Sequence, residues 1–188
     1  LENIVFSGNT AQGGAGGSTG GYAQGGALFT FKTNMTGSRL TFDGNVARAG
    51  STGGGGIAST GQRGDALGGG ACFETGSTVK LYGVTALRNQ AIGGNAATNA
   101  GGGFGGGLFG ESADVTIEGA DIMSNLAQGG NGDNGWLGSG GGGQRRGGVG
   151  VRKGRDPVEQ RAEIVAVKRL GRDLQEVALL VERPTVDQ

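Results

Sequence analysis

The chain is 188 residues long, enough for one ordinary domain, and 47 of those residues are glycine against 2 prolines; without a G-X-Y period this composition excludes a collagen helix. Sixteen basic and sixteen acidic residues cancel, so no net field draws the chain to nucleic acid or to an anionic membrane. Histidine is absent and Cys72 is the single cysteine, which removes the commonest general base, any internal disulfide and any thiolate metal cage. No apolar run approaches the roughly 20 residues that span a bilayer, so no transmembrane segment is expected. Leu1 already falls inside a repeat and no leader pattern precedes it, which reads as a segment of a longer chain.

In chain order the sequence repeats a single unit. Aligned on asparagine, the copies are LENIVFSGNTAQGG (1–14), GSRLTFDGNVARAG (37–50), LYGVTALRNQAIGG (81–94) and IEGADIMSNLAQGG (117–130). Asn9, Asn45, Asn89 and Asn125 are 36, 44 and 36 residues apart, and alanine follows each by two places at Ala11, Ala47, Ala91 and Ala127. A second signature follows as GGALF (25–29), GGACF (69–73), GGGLF (105–109) and a failing GGGGQ (140–144). Its second glycine stands 19 residues before the next asparagine each time. The length variation then falls between the two glycine clusters, in loops of 10 residues at 15–24, 95–104 and 131–140 and of 18 at 51–68.

A constant scaffold with one variable loop per unit is the signature of a solenoid. Between loops the apolar residues recur at every second position, as in Val79/Leu81, Val115/Ile117, Ile4/Phe6, Leu40/Phe42 and Ala120/Ile122. Period two in short runs bounded by Gly, Ser, Asn or Asp predicts strands, and glycine at this density opposes helix. The predicted fold is all-β: a parallel β-helix of about four rungs over residues 1–143. Stacked rungs place equivalent residues about 4.8 Å apart, so Asn9, Asn45, Asn89 and Asn125 are expected to form a side-chain ladder. Asparagine tolerates left-handed backbone and suits a corner, the glycine pairs allow positive φ beside each loop, and alanine suits a tight inward corner. Leu28, Cys72 and Leu108 are expected to stack in the core, with Cys72 as a buried thiol.

FSGN (6–9) and FDGN (42–45), with GGAL (25–28), resemble the F-x-x-N and G-G-A-[ILV] repeats of chlamydial polymorphic outer membrane proteins. ALRN (86–89) and IMSN (122–125) keep the asparagine without the phenylalanine, and GGAC (69–72) and GGGL (105–108) are near misses. The resemblance covers roughly residues 1–143. It implies a right-handed β-helix, an extracellular or cell-surface location that is outer-membrane-associated in a bacterium, and an adhesin-like role in display and binding without catalysis or cofactor. The other class in view is a β-helix polysaccharide lyase or glycoside hydrolase.

After Gly143 the pattern stops. QRRGGVGVRKGR (144–155) carries basic residues where apolar ones are due. Asp156-Pro157-Val158-Glu159 reads as a helix start, and Val167, Leu170, Leu174, Val177 and Val181 make one apolar stripe before Pro184. A helix over 157–183 would cap an open β-helix end or bind a partner; the other reading is an unrelated loose tail.

Candidate sites are few. Asp114, Glu118 and Asp121 cluster in the last full unit, where acid–base or calcium chemistry competes with ordinary solvated strand positions. GGNGDNGWL (129–137) is one degenerate copy of a calcium nonapeptide whose site needs adjacent copies. Asn34-Met35-Thr36 is a glycosylation sequon. Arg145-Arg146 and Arg152-Lys153 are a solvated basic patch. No catalytic or metal-ligating constellation stands out. Tyr22, Phe104 and Trp136 each fall in a variable loop, where rings either stack on a glycan or protein surface along one loop edge or fold back over the wall.

Overall fold

A computed structural model describes residues 1–17, 19–52, 64–96 and 100–131, and the backbone of one further strand. Unit one contributes β1 (Val5–Ser7), β2 (Thr10–Gln12), β3 (Ala23–Gln24) and β4 (Leu28–Thr30). Unit two contributes β5 (Asn34–Ser38), β6 (Thr41–Asp43), β7 (Val46–Arg48), β8 (Ala66–Leu67) and β9 (Ala71–Phe73). Unit three contributes β10 (Thr78–Leu87), β11 (Gln90–Ile92), β12 (Gly103–Phe104) and β13 (Leu108–Glu111). Unit four contributes β14 (Asp114–Met123), β15 (Leu126–Gln128) and β16 (Val149–Arg152). The described residues contain no helix.

The strands form four sheets, and every pairing is parallel. One runs β1-β6-β10-β14 with β5 also on β10, one β2-β7-β11-β15, one β3-β8-β12 and one β4-β9-β13-β16. Each strand therefore pairs with its counterpart in the next unit. The main core lies behind the first and fourth sheets and is built from the period-two positions, with Leu40, Phe42, Val79, Leu81, Val84, Val115 and Ile117 all buried. A second cluster consists only of alanines: Ala23, Ala47, Ala49, Ala66 and Ala91, with Ala11 beside them. Ala11, Ala47, Ala91 and Ala127 are register partners in mid-strand, not corner residues as expected. The methyl group there sets how closely the second and third sheets approach.

The corners are made by left-handed residues. All positive-φ positions among the described residues fall into four columns: Asn3, Arg39, Gly83, Gly119; Gly8, Gly44, Arg88, Ser124; Gly25, Gly68, Gly105; and Lys32, Gly76, Ser112. None is one of the four asparagines. The reversal sits on the residue before each, which turns the chain from the first sheet into the second and leaves the asparagine side chain free to point along the stack. The glycine pairs that open the loops do not use positive φ either.

The length of unit two is absorbed at two places rather than one. The partner offset is 36 residues at Thr10–Val46, 43 at Ala23–Ala66 and Thr30–Phe73, and 44 at Asn34–Thr78. Seven extra residues enter the loop, and one enters the corner Glu74–Ser77. That corner closes as a tight turn, with Ser77 N–H donating to Glu74 O at 3.1 Å and Gly76 at φ 72°, the left-handed geometry that favours glycine. β16 pairs with β13 in the register Leu108–Val149, so a strand beyond residue 143 joins the fourth sheet. The predicted helix 157–183 lies outside the described residues.

Candidate functional site

The four asparagines join in one hydrogen-bonded column. Asn9 donates its backbone N–H and its Nδ2 to Asn45 Oδ1, both at 2.9 Å. Asn45 donates the same two groups to Asn89 Oδ1 at 3.0 and 2.9 Å, and Asn89 to Asn125 Oδ1 at 2.9 Å each. The second Nδ2 proton reaches back across the unit boundary to a strand-end carbonyl: Asn45 to Phe6 O, Asn89 to Phe42 O and Asn125 to Ala86 O. Asn45 and Asn89 are completely buried, and each has its side-chain donors and acceptor satisfied. A buried amide is tolerated only on that condition. Each accepting carbonyl belongs to the residue three before the asparagine of the preceding unit: Phe6, Phe42 and Ala86.

Glycine density has its cause at the base of the loops. The incoming leg of each loop carries Gly14, Gly50, Gly94 and Gly130 in one column, and the outgoing leg carries Gly21, Gly64 and Gly101. The legs are tied by backbone bonds that alternate between them. Gly21 N–H donates to Gly14 O, Gly50 to Gly21 O, Gly94 to Gly64 O, Gly101 to Gly94 O and Gly130 to Gly101 O, at 2.8–2.9 Å. A Cβ on Gly50 would overlap the carbonyl of Gly14, one on Gly94 that of Gly50, and one on Gly130 that of Gly94. Backbone therefore packs on backbone, and no side chain fits. Asp65 closes the second neck, its Oδ1 accepting from Gly102 N at 2.6 Å.

A second polar column, not anticipated from sequence, follows the glycines. Ala15, Ser51, Asn95 and Asn131 occupy equivalent places one residue beyond Gly14, Gly50, Gly94 and Gly130. Asn95 N–H donates to Ser51 Oγ at 3.1 Å, and Asn131 N–H to Asn95 Oδ1 at 2.8 Å. The signal was present in the residues after each glycine pair, A-S-N-N, but it lies inside what the sequence presents as a variable loop. Between this column and the row of exposed Gln12, exposed Arg48 and half-buried Ile92 runs a groove that Gly13, Gly14, Gly50 and Gly93 also line.

The expected stack of Leu28, Cys72 and Leu108 does not form. The register is Leu28–Ala71–Leu108 and Phe29–Cys72–Phe109. Gly68 is the positive-φ counterpart of Gly25 and Gly105, so the triplet Gly68-Gly69-Gly70 shifts unit two by one residue against the sequence alignment. Leu108 and Ala71 enter the main core, whereas Cys72 turns to the other side and is buried against Leu67, Phe104 and Phe109. Phe104 in turn is not a loop residue. It lies in β12, partly buried, with its ring 6.2 Å from that of Phe109. Its register partner is Leu67, whose own partner is Gln24, two places beyond the column that Tyr22 would enter. Tyr22 is exposed just before β3. Trp136 lies outside the described residues, as does the 132–137 part of the calcium-like stretch.

Cys72 Sγ donates to Glu74 Oε1 at 3.6 Å, and Gln24 Nε2 donates to the same oxygen at 2.9 Å. Burial, with the carboxylates of Glu74 and Glu111 nearby, holds the Cys72 thiol far above its usual range. Burial, reinforced by the Glu111 carboxylate, raises Glu74, and its hydrogen bonds from Cys72 and Gln24 offset this in part. A protonated, enclosed thiol is neither nucleophile nor ligand. Asp114, Glu118 and Asp121 occupy exposed positions of β14, beside Thr78, Tyr82 and Thr85 in register. Asn34 of the sequon is exposed on β5. Among the described residues no three His, Cys, Asp or Glu side chains gather as a metal cage, and no helix is long and apolar enough to cross a membrane. No protein-family model, curated protein or solved structure matches the chain.

Proposed function

We propose that the chain is a right-handed parallel β-helix module of an extracellular or cell-surface protein, an adhesin-like stalk segment that binds a glycan or a cell-surface protein along its loop edge without catalysis. The observation that carries this reading is the contrast between the asparagine column and the loops. Successive units repeat the same amide contact three times, and the first three units release their loops through the same glycine neck. Such a scaffold holds its geometry while loop sequence and length change, which is how recognition is placed on repeat proteins. The groove beside Ser51 and Asn95 offers neutral polar side chains with one cation, Arg48, on its rim. That chemistry suits hydroxyl-rich or protein surfaces better than a polyanion. The likeness of FSGN, FDGN and GGAL to chlamydial surface repeats points the same way.

The test is binding to cultured cells and to a glycan array, with wild type and a variant that lacks the seven extra residues of the loop before β8. Binding that changes with the loop and varies little between about 0.05 and 0.5 M salt agrees with the reading. Cleavage of a pectin-like polysaccharide by the wild type, lost in Asp114→Asn, Glu118→Gln or Asp121→Asn, would replace it with the lyase or hydrolase class.

A further inference from the structure

The groove beside the loop necks lies on the flank of the stack, not at an end of it. Arg48 and Ser51 of unit two and Ile92 and Asn95 of unit three line it, and Gln12 continues it into unit one. It encloses about 430 Å³, at the small end of small-molecule sites. β7 pairs with β2 on one side and β11 on the other, and β11 pairs in turn with β15. The strands beside the groove therefore have their backbone groups engaged.

The polar column decides what the groove offers. Ser51 Oγ accepts from Asn95 N–H, and Asn95 Oδ1 accepts from Asn131 N–H. These bonds use the acceptors and leave the Ser51 hydroxyl proton and the Asn95 Nδ2 protons free to donate. Arg48 is exposed. Arg39 and Arg88 pair with Glu2 and Asp43, whereas Arg48 forms no ion pair among the described residues. No acidic side chain is among the described residues that line the groove. The other members of the Arg48 row are Gln12, Ile92 and Gln128, so the positive charge is single and not a stripe. Donors and one unpaired cation, with no anion, fit a ligand that carries several oxygen acceptors and one negative charge.

We propose that the groove takes one carboxylated sugar residue of a glycan, a uronic or a sialic acid, with its carboxylate on the Arg48 guanidinium and its hydroxyl oxygens on Ser51 and Asn95. The proposal rests on the loop-edge reading and names the ligand class for it. Half-buried Ile92 gives the C–H face of the ring an apolar contact. A peptide carboxylate is the poorer fit, because an extended peptide gains affinity from unpaired strand backbone, and β7 and β11 offer none. A single exposed ion pair also agrees with binding that varies little with salt.

The test is an NMR titration of the whole isotope-labelled protein with the methyl glycosides of glucuronic, galacturonic and N-acetylneuraminic acid, each beside its uncharged methyl ester. With at least one acid, the Arg48 Nε–H and Asn95 side-chain amide signals should shift saturably, while the side-chain amide of Asn34, exposed on β5, stays in place. The acid that binds identifies the source. Its methyl ester, and the variant Arg48→Gln, should each show binding about fivefold weaker, the upper range for one exposed ion pair. Arg48→Lys should restore part of the loss, because the charge returns without the planar fork. Asn95→Asp keeps an acceptor for Asn131 N–H but sets a carboxylate where the donor stood, and it should lose at least as much at an unchanged thermal midpoint. No saturable shift with any of the acids overturns the proposal. So does equal binding by the ester or by Arg48→Gln, and so does a short glutamate peptide that shifts the same signals at lower concentration. Cell or glycan-array binding that persists alongside such a result leaves the loop-edge reading standing without this site, whereas a wild type that binds neither cells nor glycans removes both.

Discussion

Replacing Asn89 by alanine should cost far more than replacing Asn9, although the two residues hold the same place in the repeat. Asn89 makes four side-chain hydrogen bonds: its Oδ1 accepts from Asn45 N and Nδ2, and its Nδ2 donates to Asn125 Oδ1 and Phe42 O. Truncation orphans the Asn45 N–H and one Asn45 amide proton, while the Phe42 carbonyl loses its amide donor and keeps its place in the β6–β10 ladder. Asn125 Oδ1 keeps the Asn89 backbone donor. Each buried orphan costs about 1–3 kcal/mol, so the variant should lose at least about 2 kcal/mol. That is a large share of the about 5–15 kcal/mol that holds a typical domain together. In Asn9→Ala the exposed residue surrenders one amide bond, and Asn45 Oδ1 retains the Asn9 N–H, so a loss of about 1 kcal/mol or less follows. Urea unfolding followed by circular dichroism measures both, with equal m-values as the check that the same structure unfolds. Equal losses, or a small loss in Asn89→Ala, would refute the idea that the column is a buried, directional chain of amides.

The glycine necks give a second contrast. Gly50→Ala, whose Cβ overlaps the Gly14 carbonyl, should lower the thermal midpoint sharply or prevent folding, whereas Gly14→Ala should be neutral or slightly stabilising by up to about 1 kcal/mol; similar behaviour of the two would contradict backbone-on-backbone packing. Glu74→Gln should stabilise the protein at neutral pH. The folded carboxyl titrates above its unfolded value, so its favourable contribution is full in acid, below the unfolded value, and is lost as pH rises through the folded one. The gain over wild type should therefore shrink toward acid, and a gain independent of pH would remove the burial argument. Cys72 should resist a thiol reagent at pH 8 in native buffer and react fully in urea, because the enclosed thiol stays protonated; stoichiometric native labelling would show that its surroundings open.

The parts of this fold that sequence discloses are those carried by side chains. The asparagines, the alanines two places on and the alternating apolar pairs all recur at fixed places, and their partners follow from counting. The parts it hides are carried by backbone. Arg88 and Ser124 hold the same left-handed corner as Gly8 and Gly44, yet nothing in an arginine or a serine advertises that conformation. A run such as Gly68-Gly69-Gly70 offers several frames, and only the φ of Gly68 selects one, which is why Cys72 was aligned one place off. The inserted residue of the Glu74–Ser77 turn compensates that shift, so the 19-residue spacing to Asn89 survives and disguises it. Phe104 looks like a loop aromatic because the strand it belongs to is two residues long, below what any periodicity reveals. Asn95 and Asn131 repeat the logic of the first column, but without an apolar neighbour to mark their register.

The measurement closest to the central claim is through-hydrogen-bond NMR coupling in the labelled protein. The stacked arrangement predicts correlations from Asn9 N to the side-chain carbonyl carbon of Asn45, from Asn45 N to that of Asn89, and from Asn89 N to that of Asn125, with slowly exchanging amide protons at Asn45 and Asn89. Missing correlations, together with exchange at both residues as fast as at the exposed Asn34, would contradict it.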